Sequence, residues 1–352
     1  QHSNLRRIIM AAYISFQPTD FFTNTLYSGN ATSDTAINLG LEPALTWVKA
    51  YNDTDGWWQG DVLSGAAYDL RSSNNSAQFN SNYGSAYTST GFTLTNGTQN
   101  QAATNYITYS WKGGTTSGLV AGTHSVNSYS YNATSGFGIY QYTGDNTAGT
   151  ITHGLGAVPK MIITKTLNST VDWFVYHVTP GAGKYMVLND TAAEGSSSIV
   201  WGNTTPTSTV FSLGAGAETN TSPNEYIAYV FAEVKGFSKI GSYTGNGNAD
   251  GSFIYTGFRP AFVLCKDLTN GSAQNWELND NKRNPYNEAK KTLRPNDNAA
   301  EDPTYNTCDL LSNGFKLRSS NDATNKSGYS FMYAAFAAFP FVSSNSKAGT
   351  AR

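Results

Sequence analysis

LGAVPKMIITK, residues 155–165, decides the fold because the chain says it three times. LGLEPALTWVK stands at 39–49 and TGFRPAFVLCK at 256–266. In each, a Pro opens a short apolar run that closes six residues later on a Lys: Pro43 to Lys49, Pro159 to Lys165, Pro260 to Lys266. A run rich in β-branched and aromatic residues reads as a strand, and a Pro at its start removes the ladder donor where the loss matters least.

Five further landmarks recur in a fixed order around this run. Upstream stands a Tyr-Ser/Thr-Gly turn at Tyr27, Tyr142 and Tyr243, which lies 16, 17 and 17 residues before the Pro. Downstream comes a Trp (Trp57, Trp173, Trp276), then a turn rich in Asn or acid: LRSSNNSA (70–77), VLNDTAAE (187–194) and LRPNDNAAE (293–301). An aromatic turn-strand follows, GFTL (91–94), VFSL (210–213) and GFKL (314–317), and a Tyr-led run closes each unit: NYITYSWK, EYIAYVFAE and GYSFMYAAFAA. Such recurrence of many landmarks in one order is the signature of a duplicated unit.

YITYSW alternates at period two, as a half-buried strand does. YSFMYAAFAAF taken alone favours helix through its alanines, but its counterparts in the other copies assign it to a strand. With Gly- and Asn-rich punctuation and no amphipathic helix, the expected fold is all-β: tandem antiparallel β-sandwich-like repeats, three copies of about 100 residues. Their bounds are 10–112, 136–235 and 236–342, with a Gly/Ser/Thr/Asn linker at 113–135 and a polar tail at 343–352. That linker is expected to be mobile or extended. Copies two and three are joined by little more than Val234-Lys235-Gly236. They are therefore expected to form one stiff body against which copy one reorients. Residues 1–9 read as translated upstream sequence, because Arg6-Arg7-Ile8-Ile9 before Met10 is what a bacterial ribosome-binding site encodes.

Charged residues make up 13% of the chain, about half the usual share, while aromatics at 13% supply a core. A net charge of −2 offers no basic stripe for nucleic acid. The longest apolar stretch, MYAAFAAFPFV (332–342), is too short for a membrane helix and contains Pro340. Neither nucleic-acid binding nor membrane insertion is expected. Cys265 takes the place of Val48 and Thr164 in the other copies and reads as a small buried side chain, with a Cys265–Cys308 disulfide left open.

Chemistry is sparse. GAGK (181–184) lacks the Ser/Thr and upstream Gly of a phosphate loop and reads as a hairpin turn. NGNADG (246–251) begins like a calcium loop, but Gly257 stands where the bidentate Glu belongs. His153 and His177 lack metal-ligand spacing. Asp172, Glu277 and Asp280 lie near the repeated Trp residues and offer a glycosidase-type pair, against which those Trp read more simply as core anchors. No catalytic residue, cofactor or metal is assigned. Pro43, Pro159, Pro260, Trp57, Trp173 and Trp276 are structural anchors of the repeat. Trp58, Tyr87, Tyr140 and Trp201 fall outside the landmarks and are the candidates to be exposed and stack on sugar rings. The charged insert 279–305 reads as a distal loop, a subunit contact or a solvated loop.

NGFKLRSSNDATNKSGYSFMYAAFAAFPFVSS (313–344), WELNDNKRNPYN (276–287) and GFGIYQYTGDNTAGTITHGLGAVPKMIITK (136–165) resemble the repeated domains of tail-fibre-like structural proteins of aquatic tailed bacteriophages. The opening SFQPTDFFTNTLYSG, the run Tyr333–Val342 and the closing Ala351-Arg352 share the likeness, which spans residues 10–352. Ala337-Ala338-Phe339 departs from it, standing where an acidic or polar residue often precedes the Pro. The resemblance implies a β-rich virion appendage assembled in the bacterial host cytoplasm. It further implies a homo-oligomer, with a trimer favoured, that contacts other virion proteins and a host-surface glycan or protein, and it carries no catalytic residues. The expected function is that of a non-enzymatic tail fibre or receptor-binding protein. A carbohydrate-binding or glycan-hydrolysing protein and a passive structural or decoration protein are the alternatives. Duplication suits attachment by avidity.

Overall fold

Each Pro…Lys run is the same strand of the same antiparallel sheet. The computed structural model describes residues 14–340 except 83, 270–272 and 305–307. The leader at 1–9, the Met10 start and the 343–352 tail lie outside the described residues. In copy one the strand order is Phe22–Ser28, Asn105–Trp111, Leu45–Ala50, Trp58–Asp61. Copy two repeats it with Phe137–Thr143, Glu225–Ala232, Pro159–Thr166 and Phe174–His177, and copy three with Ser238–Thr244, Ser330–Pro340, Phe258–Asp267 and Glu277–Asp280. The Pro…Lys strand is thus interior and covered on both faces. Leu45–Ala50 is buried at every position, which explains its unbroken apolar reading. The alanines of Ser330–Pro340 fit the same two-sided burial, and packing overrides their helical preference.

A smaller sheet faces each main sheet. It pairs Thr35–Asn38 with Gly91–Leu94, Gly149–Thr152 with Val210–Leu213, and Phe253–Tyr255 with Gly314–Leu317. At its centre a buried Ile always opposes a buried Phe: Ile37 and Phe92, Ile151 and Phe211, Ile254 and Phe315. The Tyr-Ser/Thr-Gly turn is explained at this level. The Tyr ring stacks on the aromatic that opens the closing run: Tyr27 on Tyr106 at 4.8 Å, Tyr142 on Tyr226 at 5.2 Å and Tyr243 on Phe331 at 5.2 Å. The Tyr hydroxyl donates to Gln99 O, Thr219 O or Thr324 O at 2.7–2.8 Å. A Cβ on the Gly would stand 2.1–2.4 Å from a backbone oxygen in every copy, so the chains approach too closely for any other residue.

The copies do not follow one another in a line; they close on themselves. Trp111, Phe231 and Phe336 hold equivalent places on the three closing runs, and their rings form a triangle with centroids 5.9, 5.8 and 5.4 Å apart. One hydrophobic core runs through all three copies around this triangle. The repeated Trp residues lock its rim. Trp173 Nε1 donates to Arg71 O (3.0 Å) of copy one, Trp276 Nε1 to Val187 O (2.9 Å) of copy two, and Trp57 Nε1 to Arg294 O (2.8 Å) of copy three. A second set runs the other way round. The amide of Gln78 donates to Leu167 O (2.7 Å), that of Glu194 to Leu268 O (3.3 Å) and that of Glu301 to Tyr51 O (2.8 Å). The acceptors stand two residues after the Lys in each copy, so both sets are cyclic.

This corrects two expectations. Copy one does not hang from a linker, because Trp47, Trp57 and Trp111 are buried in the shared core. Nor is 113–135 free: Val126–Asn132 adds an edge strand to Phe137–Thr143, and Thr115 exchanges backbone hydrogen bonds of 2.8 and 3.0 Å with Tyr131.

Candidate functional site

The repeated Lys and an unforeseen Asn hold each copy's loops. Lys49, Lys165 and Lys266 are fully buried. Lys49 Nζ donates to Ala50 O, Asp53 O and Asp55 O at 2.7, 2.9 and 2.7 Å. Lys165 Nζ donates to Thr166 O (2.8 Å) and Ser169 O (3.3 Å), whereas Lys266 Nζ reaches Thr191 O of copy two (2.8 Å) and Gln274 O. Burial pushes each ammonium down to about 8. Asn100, Asn220 and Asn325, also buried, close short helical turns and bind the loop that follows the Tyr-Ser/Thr-Gly motif. Asn220 Nδ2 donates to Thr147 O (2.6 Å) and Gly214 O (3.1 Å), and its Oδ1 accepts from the Asp145 amide (3.1 Å). Sequence reasoning missed this Asn, although a signal existed: it stands six residues before the aromatic that opens each closing run.

Pro43, Pro159 and Pro260 are buried at the strand starts, and Trp57, Trp173 and Trp276 are the ring contacts described above. The stacking candidates require correction. Trp58 and Tyr140 are 0% exposed and Trp201 is 1%. They fill the space between main and small sheets: Trp58 packs on Phe92 at 5.7 Å, Tyr140 on Phe211 at 6.3 Å and Trp201 on Tyr176 at 6.0 Å. Tyr87 is half-buried, with its hydroxyl enclosed where a Cβ on Gly60 would meet it at 2.6 Å. Trp58 and Tyr87 converge in copy one, Tyr140 and Trp201 belong to copy two, and no surface platform unites the four.

The carboxylates near the Trp residues are held by structural bonds. Asp172 accepts from Asn189 Nδ2 at 2.8 Å, and Glu277 faces Arg294 at 3.4 Å. Asp280 accepts from Arg283 Nε (2.6 Å) and from Tyr109 Oη of copy one (2.8 Å). Within the insert, Arg283 and Lys291 both meet Glu301, at 3.3 and 2.8 Å, and Arg294 meets Asp302 at 2.9 Å. With Arg294 O and the Glu301 amide bonded to copy one, the described part of the insert is a joint of the ring. GAGK turns the hairpin between Phe174–His177 and Lys184–Val187. In NGNADG, Asn325 Nδ2 occupies Asn246 Oδ1 (3.0 Å) and Asn248 O (2.8 Å), while Asp250 pairs with Lys316 at 2.8 Å. His153 and His177 each accept a local backbone amide on Nδ1, and burial pushes His177 down to about 4. Cys265 and Cys308 are buried and form no disulfide with each other, and burial pushes the Cys265 thiol up to about 12.

Clefts open at the joints. One of about 350 Å³ between copies one and two is lined by Pro43, Lys112 and Ser130. Another of about 490 Å³ between copies two and three is lined by Glu233, Lys235, Ser238, Lys239, Tyr255 and Thr256. Phe253 and Tyr255, on the outer strand of copy three's small sheet, are 46% and 55% exposed.

Residues 17–340 match a family model described as Domain of unknown function (DUF7483). No curated protein and no solved structure matches the chain.

Proposed function

The chain belongs to the DUF7483 family of unknown function, and we propose that it is a phage virion appendage, a non-enzymatic tail fibre or receptor-binding protein that attaches to the host surface. The observation that carries this reading is the closed ring. Every repeated landmark is spent on cohesion, through the Trp and turn contacts between copies and the Lys, Tyr and Asn contacts within them. The scaffold is therefore rigid, while the outward strands and joint clefts differ from copy to copy. A rigid body carrying divergent surfaces suits display and recognition, since little ordering cost is paid on binding. The carboxylates that suggested hydrolysis support the same reading, being engaged in structural bonds within a copy (Asp172) or both within and between copies (Asp280). In this proposal the chain assembles as a homo-oligomer, with a trimer favoured, in the bacterial host cytoplasm and joins other virion proteins. Its distal partner is a host-surface glycan or protein.

The test is direct. The full chain is sized by light scattering, fluorescently labelled and incubated with a panel of aquatic bacteria. A stable trimer with saturable binding to some strains supports the proposal. Chains that bind no strain in any oligomeric state overturn it.

A further inference from the structure

The first strand of each main sheet supplies an internal control. In copy two that strand, Phe137–Thr143, is covered by an added antiparallel strand, Val126–Asn132. Among the described residues, its counterparts Phe22–Ser28 and Ser238–Thr244 pair on one side only and end their sheets. The connections explain the difference for copy three. The long segment 113–135 precedes copy two, whereas only residues 233–237 separate Glu225–Ala232 from Ser238–Thr244, too few to form a turn and a strand. An edge strand presents a row of unpaired backbone groups to any further strand. Copy two demonstrates that this edge of the fold accepts one.

The seat of the added strand is also recognisable. In copy two Tyr131 stands opposite Gly138, and its side chain lies over Gly138 and Gly154. A Cβ on Gly138 would meet Tyr131 Cβ at 2.9 Å, and one on Gly154 would meet the Tyr131 ring at 2.5 Å. Lys239 stands in copy three where Gly138 stands in copy two, because their partners Ala335 and Val230 each precede a ring of the central triangle, Phe336 or Phe231. Thr256 and Gly257 likewise match His153 and Gly154, two and three residues after the central Ile. In copy three, Lys239, Tyr255 and Thr256 line the cleft of about 490 Å³ between copies two and three. That cleft is the counterpart of the Tyr131 seat. Lys239 is drawn to Glu233 at 2.6 Å, and Tyr255, 55% exposed, offers a ring where copy two has Thr152. Beside Thr23, at the corresponding place in copy one, the cleft measures only about 90 Å³.

The interface already made in copy two fixes what fits. Its strand alternates Ser and Tyr over 128–131 and pairs antiparallel, with one Tyr ring laid into the groove. In this chain that strand is committed to copy two, so a second copy could lend it only by breaking its own sheet. We propose that Ser238–Thr244 and the adjoining cleft are a docking site for an extended strand of a different protein, which adds antiparallel to this edge and seats a tyrosine ring in the cleft. Main-chain pairing supplies affinity and the ring supplies specificity. The site deepens the part of the attachment reading in which the chain joins other virion proteins, although its argument stands on copy two's strand.

The test uses the full chain and a fluorescent peptide of residues 124–133 as the probe. Saturable one-to-one binding is expected by anisotropy, with hydrogen exchange slowed at 238–244. The Tyr131→Ala peptide is expected to bind at least tenfold more weakly. Two peptides N-methylated at alternate amides, in opposite phase, are expected to differ, because only one phase blocks the pairing edge. No saturable binding, equal binding of the Tyr131→Ala peptide, or protection at 22–28 or 137–143 in place of 238–244 overturns the site. So does self-association of the chain that the peptide abolishes, which would make a second copy the occupant. Cell binding separates this failure from the broader one: a chain that adheres to bacteria but ignores the peptide sinks the site alone, whereas a chain that takes the peptide but adheres to no bacterium sinks the attachment reading.

Discussion

Replacing Trp57 by Phe removes the Nε1 donor that bonds Arg294 O across the joint between copies one and three, at 2.8 Å. The carbonyl is left without that partner in a partly buried setting, at a cost of about 1–3 kcal/mol. The smaller ring adds a cavity cost of about 1 kcal/mol, for a total near 3 kcal/mol. How this loss appears depends on whether the ring melts as one body. At about 2.1 cal/mol/K per residue, the 352-residue chain has an unfolding entropy near 0.7 kcal/mol/K, so the midpoint falls by about 4 °C in a single transition. An independent copy, about a third of the chain, would have an entropy near 0.24 kcal/mol/K and a midpoint displaced by about 12 °C, splitting the melt in two. Differential scanning calorimetry distinguishes the two outcomes. Trp173→Phe and Trp276→Phe should act as Trp57→Phe does, because their bonds of 3.0 and 2.9 Å occupy the same place in the cycle. A separate low-temperature transition assigned to copy one would refute the closed ring as the cooperative unit.

Arg283→Met leaves Asp280 and Glu301 without their shared cation and should cost about 3–5 kcal/mol, read as a fall in the urea midpoint. Asn220→Ala strands the Asp145 amide and the Thr147 and Gly214 carbonyls, and should cost about 2–4 kcal/mol in the same assay, with Asn100→Ala and Asn325→Ala similar. Lys49, Lys165 and Lys266 titrate near 8 in the fold and near 10.4 unfolded, so between those values the unfolded chain holds more protons. Through these groups stability should rise with pH from about 8 to about 10, and replacing all three by Met should flatten that rise in urea midpoints taken across the window.

Much of the fold was legible in the sequence because duplication prints it three times. The Pro…Lys strand, the closing run and the all-β class follow from local patterns of β-branched and aromatic residues bounded by turns, and a strand's neighbours along the chain enforce them. Even the alanine-rich run 333–338 was assigned through its counterparts. The landmark Trp residues are legible as a recurring feature, but the pattern does not say what they bond to. Trp57 and Arg294 are 237 residues apart, and no local pattern distinguishes a Trp that fills its own copy from one that bonds the next. The same limit misplaced Trp58, Tyr140 and Trp201: lying outside the shared landmarks, they still fill the space between two sheets whose facing exists only after folding. Phe253 and Tyr255 show the remaining gap. A period-two alternation fixes which residues share a face but not which face is inward. In SFIYTG the aromatic pair and the Ile compete for the core, and the choice falls to Ile254 because Phe315 of the partner strand already stands opposite it. The sequence by itself determined the unit, its strands and its threefold recurrence. Only the tertiary structure decided that the units close into a ring and which aromatic rings are left facing water, because both depend on contacts between residues far apart in the chain.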